Sequence, residues 1–139
     1  MKIVHVICAI IRNENGEILL LRRKKTSRYY PASWGFLTGT IEQGEKPEQC
    51  AVREAEEEIS CRIEIKKTGY GFSYAAEMQG ERYCFTIYPM LCKLKNSRPK
   101  IKLNNENVGY KWLKPEKIIK LRNVLPLLKT DLQNVGLLK

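Results

Sequence analysis

The sequence predicts an α+β fold with a mixed β-sheet in one domain spanning residues 1–139. A chain of this length, with 43% hydrophobic and 29% charged residues, has the composition of one globular domain. Short apolar or alternating segments recur along it, as strands do. One stretch, 48–59, follows Pro47 without a further glycine or proline, which favours a helix.

The N-terminal third contains three of the expected strands. Residues 3–11 are rich in Ile and Val and predict a buried strand. Residues 13–16 (NENG) are typical of a turn, so 17–21 is predicted to return as the second strand of a hairpin. Residues 22–34 are polar, basic and aromatic, which indicates a loop, and 35–40 is a short strand before a glycine-containing turn.

The remaining elements follow the helix. Residues 62–67 and 69–76 alternate as strands do, and 82–94 is a strong strand prediction in which Pro89 indicates an edge or a bulge. A basic, Asn-rich loop is expected at 95–105. The last elements expected are a strand at 108–113, a short helix from Pro115 and an amphipathic helix at 123–138 with Pro126 in its first turn.

The charge of the chain is basic, with 25 Lys and Arg against 15 Asp and Glu. Residues 96–139 carry ten of the basic residues and only three acidic ones. Such a surface favours anionic ligands such as nucleotides, phosphates or nucleic acid, although it also serves solubility alone. Nucleic acid is the less favoured partner, because no RNA-binding module is recognisable and the basic segment has few aromatics.

Several classes of chemistry are disfavoured by residue usage. The five cysteines form no Cys-x-x-Cys pair and His5 is the only histidine, which argues against a zinc site or a disulfide framework. His5 lies inside an apolar run and Asp131 is the only aspartate, which argues against Ser-His-Asp catalysis. There is no apolar segment of about 20 residues and no signal-peptide pattern. We therefore expect a cytoplasmic protein without a membrane partner.

The predicted helix carries an acidic cluster. At 100° per residue, Glu54, Glu57 and Glu58 fall within an arc of about 100°, beside an apolar face. Their mutual repulsion requires a neutralising partner, and hard cations such as Mg²⁺ prefer carboxylate and phosphate oxygens. Such a metal lowers the pKa of a bound water. The alternative is an ordinary charged helix face with Arg53 and Arg62 as i,i+4 partners.

The residues around this cluster resemble the Nudix hydrolase family, whose box reads G-x5-E-x7-R-E-U-x-E-E-x-G-U, where U is apolar. The matching positions are Gly39, Glu45, Arg53, Glu54, Ala55, Glu57, Glu58 and Cys61. Ser60 stands where the box has glycine, a position that suits a helix C-cap. Eight specified hits over 23 residues make this match far more specific than a single glycine-rich loop.

The resemblance implies an α/β/α sandwich with a central mixed sheet and the hydrolysis of a nucleoside diphosphate linked to another group. It implies Mg²⁺, with Mn²⁺ possible, held by the Gly39 carbonyl and by Glu54, Glu57 and Glu58, which would also be catalytic. It also implies that Glu45 and Arg53 form a structural pair that holds the loop to the helix.

A narrower similarity concerns the segments 33–45 and 106–113. The first resembles bacterial dihydroneopterin triphosphate and dATP pyrophosphatases, in a Trp-x-x-x-Thr-Gly run. The second resembles their Glu-His-x-x-x-x-Trp-Leu segment, with Asn107 in place of His. By this similarity Glu106 is a candidate for an additional metal ligand or general base. The alternative is a solvated loop carboxylate.

Four residues of the loop that follows 17–21 are candidates for substrate binding. Arg23 is placed to grip phosphates, and Arg28, Tyr29 and Tyr30 offer charge and a stacking face for a base or pterin. Each has an ordinary alternative, namely surface charge for the arginines and loop packing for the tyrosines. Specificity is expected in the loops 22–34 and 95–107.

The function predicted is a Mg²⁺-dependent pyrophosphohydrolase of a nucleoside triphosphate or a related pterin triphosphate. It would release pyrophosphate and a monophosphate. One alternative is hydrolysis of dinucleoside polyphosphates or RNA caps, which the basic last third suits. Another is a Nudix-fold domain that binds nucleotide without cleaving it, although such domains generally lose box glutamates and this chain keeps them.

Overall fold

The computed structural model describes residues 1–96 and 100–139. The predicted loop at 95–105 therefore falls partly on residues 97–99, which lie outside the described part. Over the described residues the chain forms eight strands and three helices. They are β1 (Lys2–Ile11), β2 (Ile18–Arg23), β3 (Trp34–Gly35), β4 (Leu37–Thr40), α1 (Pro47–Ile59), β5 (Ile63–Thr68), β6 (Phe72–Met78), β7 (Glu81–Leu94), β8 (Asn107–Leu113), α2 (Pro115–Ile118) and α3 (Leu128–Asn134).

Five strands form a mixed sheet in the order β4-β1-β7-β5, with β6 also paired to β7. The strands β1 and β7 run parallel from Lys2↔Tyr83 to Ile11↔Cys92. All other pairs in the sheet are antiparallel. The mixed sheet predicted from the sequence is therefore confirmed.

The predicted hairpin between residues 3–11 and 17–21 is wrong. The strand β2 belongs to a second, three-stranded sheet in the order β3-β2-β8. The turn between β1 and β2 is closed by an Arg12↔Ile18 bridge and a 2.9 Å bond from Asn13 N to the Glu17 carbonyl, but the two strands do not continue as a paired ladder. The physical reason is that 18–21 is apolar on both faces and fully buried. Leu19 joins one core cluster and Leu20 the other, so β2 requires cover on both sides.

Pro89 does not mark an edge strand, because β7 lies inside the sheet between β1 and the pair β5 and β6. The Pro89 carbonyl accepts a hydrogen bond from Gly69 N at 2.8 Å. Because the N–H and C=O of a strand residue point to the same side, the N–H that proline lacks would also have faced β5 and β6. Pairing with β6 ends at Ile87, and pairing with β5 begins at Met90. Proline thus occupies the gap between two partner strands.

The sheets lie between helices. One face of α1, formed by Cys50, Ala51, Ala55 and Ile59, packs in a core cluster that includes Ile7 and Leu37. Residues on the opposite face of β1, such as Cys8 and Ile10, pack in a cluster with Leu128 and Leu132 of α3. The arrangement is the expected α/β/α sandwich. Val52, which the helical period places on the buried face, is 38% exposed instead.

The terminal helix is much shorter than the predicted 123–138, and Pro126 precedes it. Asn123 and Leu127 have positive φ values of 56° and 68°, which interrupt a helix. Between them the chain pairs with β3, where Leu125 N donates to the Trp34 carbonyl at 2.8 Å. Bonds to a neighbouring strand thus replace helical ones. In the described part of the chain, no helix is long and apolar enough to span a membrane.

Candidate active site

Arg53 is the organising residue of the glutamate helix α1. Its Nε donates to Glu45 Oε2 at 2.7 Å and its Nη2 donates to Glu45 Oε1 at 3.0 Å, a two-point contact between the helix and the preceding loop. Glu45 Oε1 also accepts from Glu42 N at 3.0 Å. The structure thus brings together the pair that the family resemblance implies, and it fixes the shape of the loop.

Arg53 also lies among further carboxylates. Its Nη1 is 2.8 Å from Glu54 Oε1, 3.2 Å from Glu57 Oε2 and 3.7 Å from Glu42 Oε1. Hydrogen bonds to Glu45 raise the pKa of Arg53, and the same bonds lower the pKa of Glu45 to about 2. One cation among four carboxylates leaves this end of the helix net negative.

Gly39 lies directly against Glu54. A Cβ built on Gly39 would overlap the Glu54 side chain and come within 2.8 Å of its Oε1. A glycine is therefore required for the carboxylate to approach the backbone of β4 this closely. Gly39 pairs with Ile7 of β1, so a sheet strand fixes its position.

Glu58 is the buried member of the acidic cluster, with only 7% of its surface exposed. Its Oε1 accepts a hydrogen bond from Asn107 Nδ2 at 2.9 Å, whereas its Oε2 has no partner among the described residues. Burial raises the pKa of Glu58, and the Glu54 carboxylate raises it further, while the hydrogen bond from Asn107 opposes both. Two carboxyl groups are therefore packed together here, with Asn107 as a donor to the buried one.

Glu57 and Glu106 complete the acidic end. The Glu57 side chain is 53% exposed and Glu106 is exposed on the segment before β8. The Glu106 carbonyl accepts from Lys24 N at 3.1 Å, which ties this segment to the loop after β2. Both glutamates line the same cavity as Glu54 and Glu58, so four carboxylates from two separate parts of the chain converge.

The cavity has a volume of about 520 Å³, within the range of small-molecule sites. Its acidic end includes these four glutamates together with Glu42 and Gly39. The other end is mainly apolar and aromatic, with contributions from the core strands, the loop 24–33 and α3. A ligand with a charged head and a flat apolar body would match this division.

The predicted substrate-binding residues all line this cavity, in different settings. Arg23 donates from Nη1 to the Tyr29 carbonyl and from Nη2 to Thr38 Oγ1, both at 2.6 Å, and burial lowers its pKa. One donor group therefore holds the loop, a second holds β4 at Thr38, and the remaining N–H groups are left for a ligand. Arg28 lies 5.4 Å above the Tyr29 ring.

The two tyrosines differ from each other. Tyr29 packs edge-on against Phe85, with ring centroids 5.3 Å apart, so its ring is largely a core contact. Tyr30 has a positive φ of 48° and its hydroxyl is 3.5 Å from the Tyr74 hydroxyl. That conformation places Tyr30 beside Tyr74 on the cavity wall.

The oxygen atoms at the acidic end of the cavity are of the kind that binds a divalent cation. Carboxylate and carbonyl oxygens from Gly39 and the glutamates are the ligands that Mg²⁺ and Mn²⁺ prefer, and the unpartnered Glu58 oxygen is open to one. As they stand, no three acidic, His or Cys side chains of residues 1–96 and 100–139 are close enough to hold an ion. Glu54 and Glu57 are turned towards Arg53, so both side chains would have to reorient before they could join Glu58 in holding an ion.

Two cavity residues had no predicted role. Asn107 was noted only as a departure from a histidine, yet it is buried and holds Glu58. Its position next to Glu106 was the available signal. Asp131 was noted only as the single aspartate, yet its carboxyl is buried in the cavity wall. No local pattern indicated it, because only the tertiary fold brings α3 to the cavity.

The sandwich, the loop-to-helix pair and the glutamate-lined cavity are those of a Nudix-type hydrolase. The NUDIX domain family model matches residues 1–131, and the chain belongs to this family of hydrolases.

Curated relatives and solved structures agree with this assignment. The chain is 28% identical over 122 residues to the nucleoside triphosphatase NudI of an Escherichia coli O139:H28 strain, covering 82% of this chain and 84% of the relative. NudI of Shigella flexneri matches equally. Among solved structures, a MutT protein from Methanosarcina mazei Go1 superimposes with a TM-score of 0.78 at 23% identity, covering 95% of this chain and 91% of that one. A C. elegans Ap4A hydrolase gives 0.69 at 25% identity, covering 94% and 93%.

Proposed function

We propose that the chain is a Mg²⁺-dependent pyrophosphohydrolase of a nucleoside triphosphate or a related pterin triphosphate, with Mn²⁺ as an alternative ion. The observation that carries the proposal is the buried Glu58 Oε2, which has no hydrogen-bond partner in residues 1–96 and 100–139 and lies in the cavity with Glu54 and Gly39. A buried carboxylate oxygen in that state is costly unless a ligand or cation engages it. The relatives named as nucleoside triphosphatases support the substrate class.

Each residue has a role in this proposal. The Gly39 carbonyl, Glu54, Glu57, Glu58 and Glu106 would hold the metal. When bound, the ion would neutralise phosphate charge and acidify a water. Glu45 would hold Arg53 against the loop, and Arg53 would pair with Glu54 and Glu57 until the ion takes its place beside them.

The chemical step is a hydrolysis of the α–β anhydride. Water oxygen forms a bond to phosphorus, the bond to the bridging oxygen breaks, and its electron pair leaves with pyrophosphate. The water proton passes to a carboxylate of the acidic end, for which Glu106 is a candidate because it lies on a different segment from the box helix. Arg23 and Arg28 would hold the phosphates, and Tyr30 would face the heterocycle.

A substrate panel tests this function. Phosphate and pyrophosphate release would be followed with Mg²⁺ on NTPs, dNTPs, 8-oxo-dGTP, dihydroneopterin triphosphate, diadenosine tetraphosphate and ADP-ribose. The variants are Glu57→Gln and, as a matched control, Glu56→Gln, because Glu56 pairs with Arg62 at 3.7 Å and does not line the cavity. We expect pyrophosphate from a triphosphate, abolished only in Glu57→Gln.

Dinucleoside polyphosphate hydrolysis is the second candidate, favoured by the similarity to an Ap4A hydrolase structure. Turnover of diadenosine tetraphosphate without turnover of any triphosphate would replace the proposal with this one. Binding of a nucleotide without release of any phosphate product would indicate a non-catalytic domain.

A further inference from the structure

Asp131 presents a buried carboxyl group to the apolar end of the cavity. Only 5% of its surface is exposed, although it lies on the short surface helix α3. Its Oδ2 accepts a hydrogen bond from the Cys8 thiol at 3.6 Å. Its Oδ1 has no hydrogen-bond partner among the described residues.

A carboxyl group in this state is costly to the fold. A buried polar atom without a partner destabilises the folded state, and a thiol is only a weak donor. Burial accordingly raises the pKa of Asp131 to about 7. An apolar residue would fit α3 at lower cost, which points to a donor from outside the described part of the chain.

The surroundings of Asp131 suit a flat heterocycle. Tyr30, Tyr74 and Phe85 line the same cavity, and Tyr74 stacks on Phe85 with ring centroids 5.4 Å apart. Aromatic faces bind planar rings through stacking, and a single polar group at the edge then fixes which ring is accepted.

Asp131 also lies at a suitable distance from the glutamates. Gly39, which contacts Glu54, comes directly after Thr38. Thr38 pairs across the sheet with Cys8, and the Cys8 thiol donates to Asp131. One residue step and one strand spacing give a backbone path of roughly 9 Å. A nucleoside can span such a path between its phosphate and the edge of its base.

We infer that Asp131, in its ionised form, is a specificity-determining residue that accepts a hydrogen bond from an N–H group on the edge of the substrate heterocycle. The ligand class is a nucleobase or pterin that carries an amino or ring N–H donor. This inference rests on the proposed function, because it places the heterocycle of that same substrate. The aromatic side chains stack on the ring, and the hydrogen bond to Asp131 Oδ1 discriminates rings that carry the N–H donor from those that lack it.

The test compares each nucleotide that the enzyme hydrolyses with an analogue that lacks the edge donor. The pairs are ATP and purine riboside triphosphate, CTP and its 4-deamino analogue, and UTP and N3-methyl-UTP. GTP is compared with N1-methyl-GTP. For at least one pair we expect the wild type to favour the parent by tenfold or more in kcat/KM, because the analogue leaves Oδ1 unpaired.

Variants at residue 131 assign this preference. Asp131→Leu should reduce it to within twofold while pyrophosphate release continues. Asp131→Asn keeps an acceptor oxygen and should retain the preference. This variant also keeps the inference testable if the leucine variant does not fold. Gln133→Leu is the matched control, because Gln133 is exposed on the same helix. An equal rate for both members of every pair, or an unchanged preference in Asp131→Leu, overturns the inference.

Failure of the proposed function would be distinguishable from failure of this inference. If no triphosphate releases pyrophosphate, the same pairs are titrated calorimetrically as non-cleavable α,β-methylene analogues. A tenfold binding preference that Asp131→Leu removes would support the role of Asp131 in a non-hydrolytic protein. No binding, or binding without preference, would overturn it.

Discussion

At the scale of single residues, Glu58 and Asp131 have a common feature. Each is a buried carboxyl with one oxygen held by a protein donor and the other without a partner in the described residues. The two lie at opposite ends of one cavity, Glu58 among glutamates and Asp131 among aromatic residues. Two costly groups that open into the same cavity are explained most simply by one ligand that engages both.

Asn107 is expected to act as a positioning residue for Glu58. Asn107→Leu removes the donor that Oε1 has among the described residues, so Glu58 loses both its orientation and the bond that opposes the rise of its pKa. Loss of such a supporting bond typically costs 10–100-fold in activity or metal affinity. We expect that loss in kcat/KM and in Mn²⁺ affinity measured by electron paramagnetic resonance. The low-pH limb of the activity profile should shift upward.

The matched control is Asn134→Leu, which removes a side-chain hydrogen bond to the Tyr70 carbonyl outside the cavity lining. Asn107→His, which offers a ring N–H, should recover part of the activity. A normal Mn²⁺ affinity and an unshifted profile in Asn107→Leu would mean that Asn107 only fills space.

Asp131 makes stability depend on pH. Its pKa is raised to about 7 in the folded state, so between about pH 4 and 7 the folded chain holds a proton that the unfolded chain releases. The free energy of unfolding therefore falls as pH rises through this range. Cys8, Arg23, Tyr30 and Tyr74 are the other titratable groups around this end of the cavity.

Comparison with Asp131→Asn isolates this contribution. The variant should equal the wild type below pH 4 and exceed it increasingly towards pH 7, by up to about 1.4 kcal/mol per pH unit. Urea unfolding at several pH values measures the difference. A constant difference from pH 4 to 7 would show that the carboxyl is ionised in the folded protein.

At the scale of elements, β4 and α1 form the acidic end together. Gly39→Ala adds a Cβ that meets the Glu54 side chain, which must move. Because that side chain is flexible, we expect little loss of stability but a loss in kcat/KM on the order of 100-fold. Gly109→Ala is the control, since its Cβ would meet only Trp34 at 3.9 Å. Equal activities of the two variants would contradict the close approach of Glu54.

The end of α1 offers a second test. Ser60 has a φ of 57° and a ψ of 35°, the left-handed conformation that favours glycine. Ser60→Gly should therefore raise the free energy of unfolding by about 1 kcal/mol, less whatever its hydroxyl contributes through the 3.2 Å bond to the Lys102 carbonyl. Ser73→Gly, in strand β6, should lower it. A destabilised Ser60→Gly would show that the hydroxyl bond outweighs the backbone strain.

At the scale of the whole molecule, local patterns predicted most elements. The helix 48–59 and the strands 62–67, 82–94 and 108–113 follow from periodicity and from proline and glycine positions, and the structure confirms them within one or two residues. The failures are tertiary. The partner of β2 depends on cover for two apolar faces, and the start of α3 depends on the pairing of the preceding residues with β3.

The site divides in the same way. The box spacing places Glu45, Arg53 and Glu54 together because they are close in sequence, and the structure shows those contacts. Asn107 and Asp131 come from distant segments, and only the fold brings them to the cavity. The catalytic and metal-binding roles of the glutamates stay predictions, as does the single domain over residues 1–139.

The account rests on metal-dependent cleavage of a triphosphate at the α–β anhydride, and the most direct measurement is of products with and without Mg²⁺. It predicts one pyrophosphate and one monophosphate per turnover, no product after chelation, restoration by Mg²⁺ or Mn²⁺, and loss in Glu57→Gln but not in Glu56→Gln. Release of orthophosphate in place of pyrophosphate, or turnover that persists after chelation and in Glu57→Gln, would contradict it.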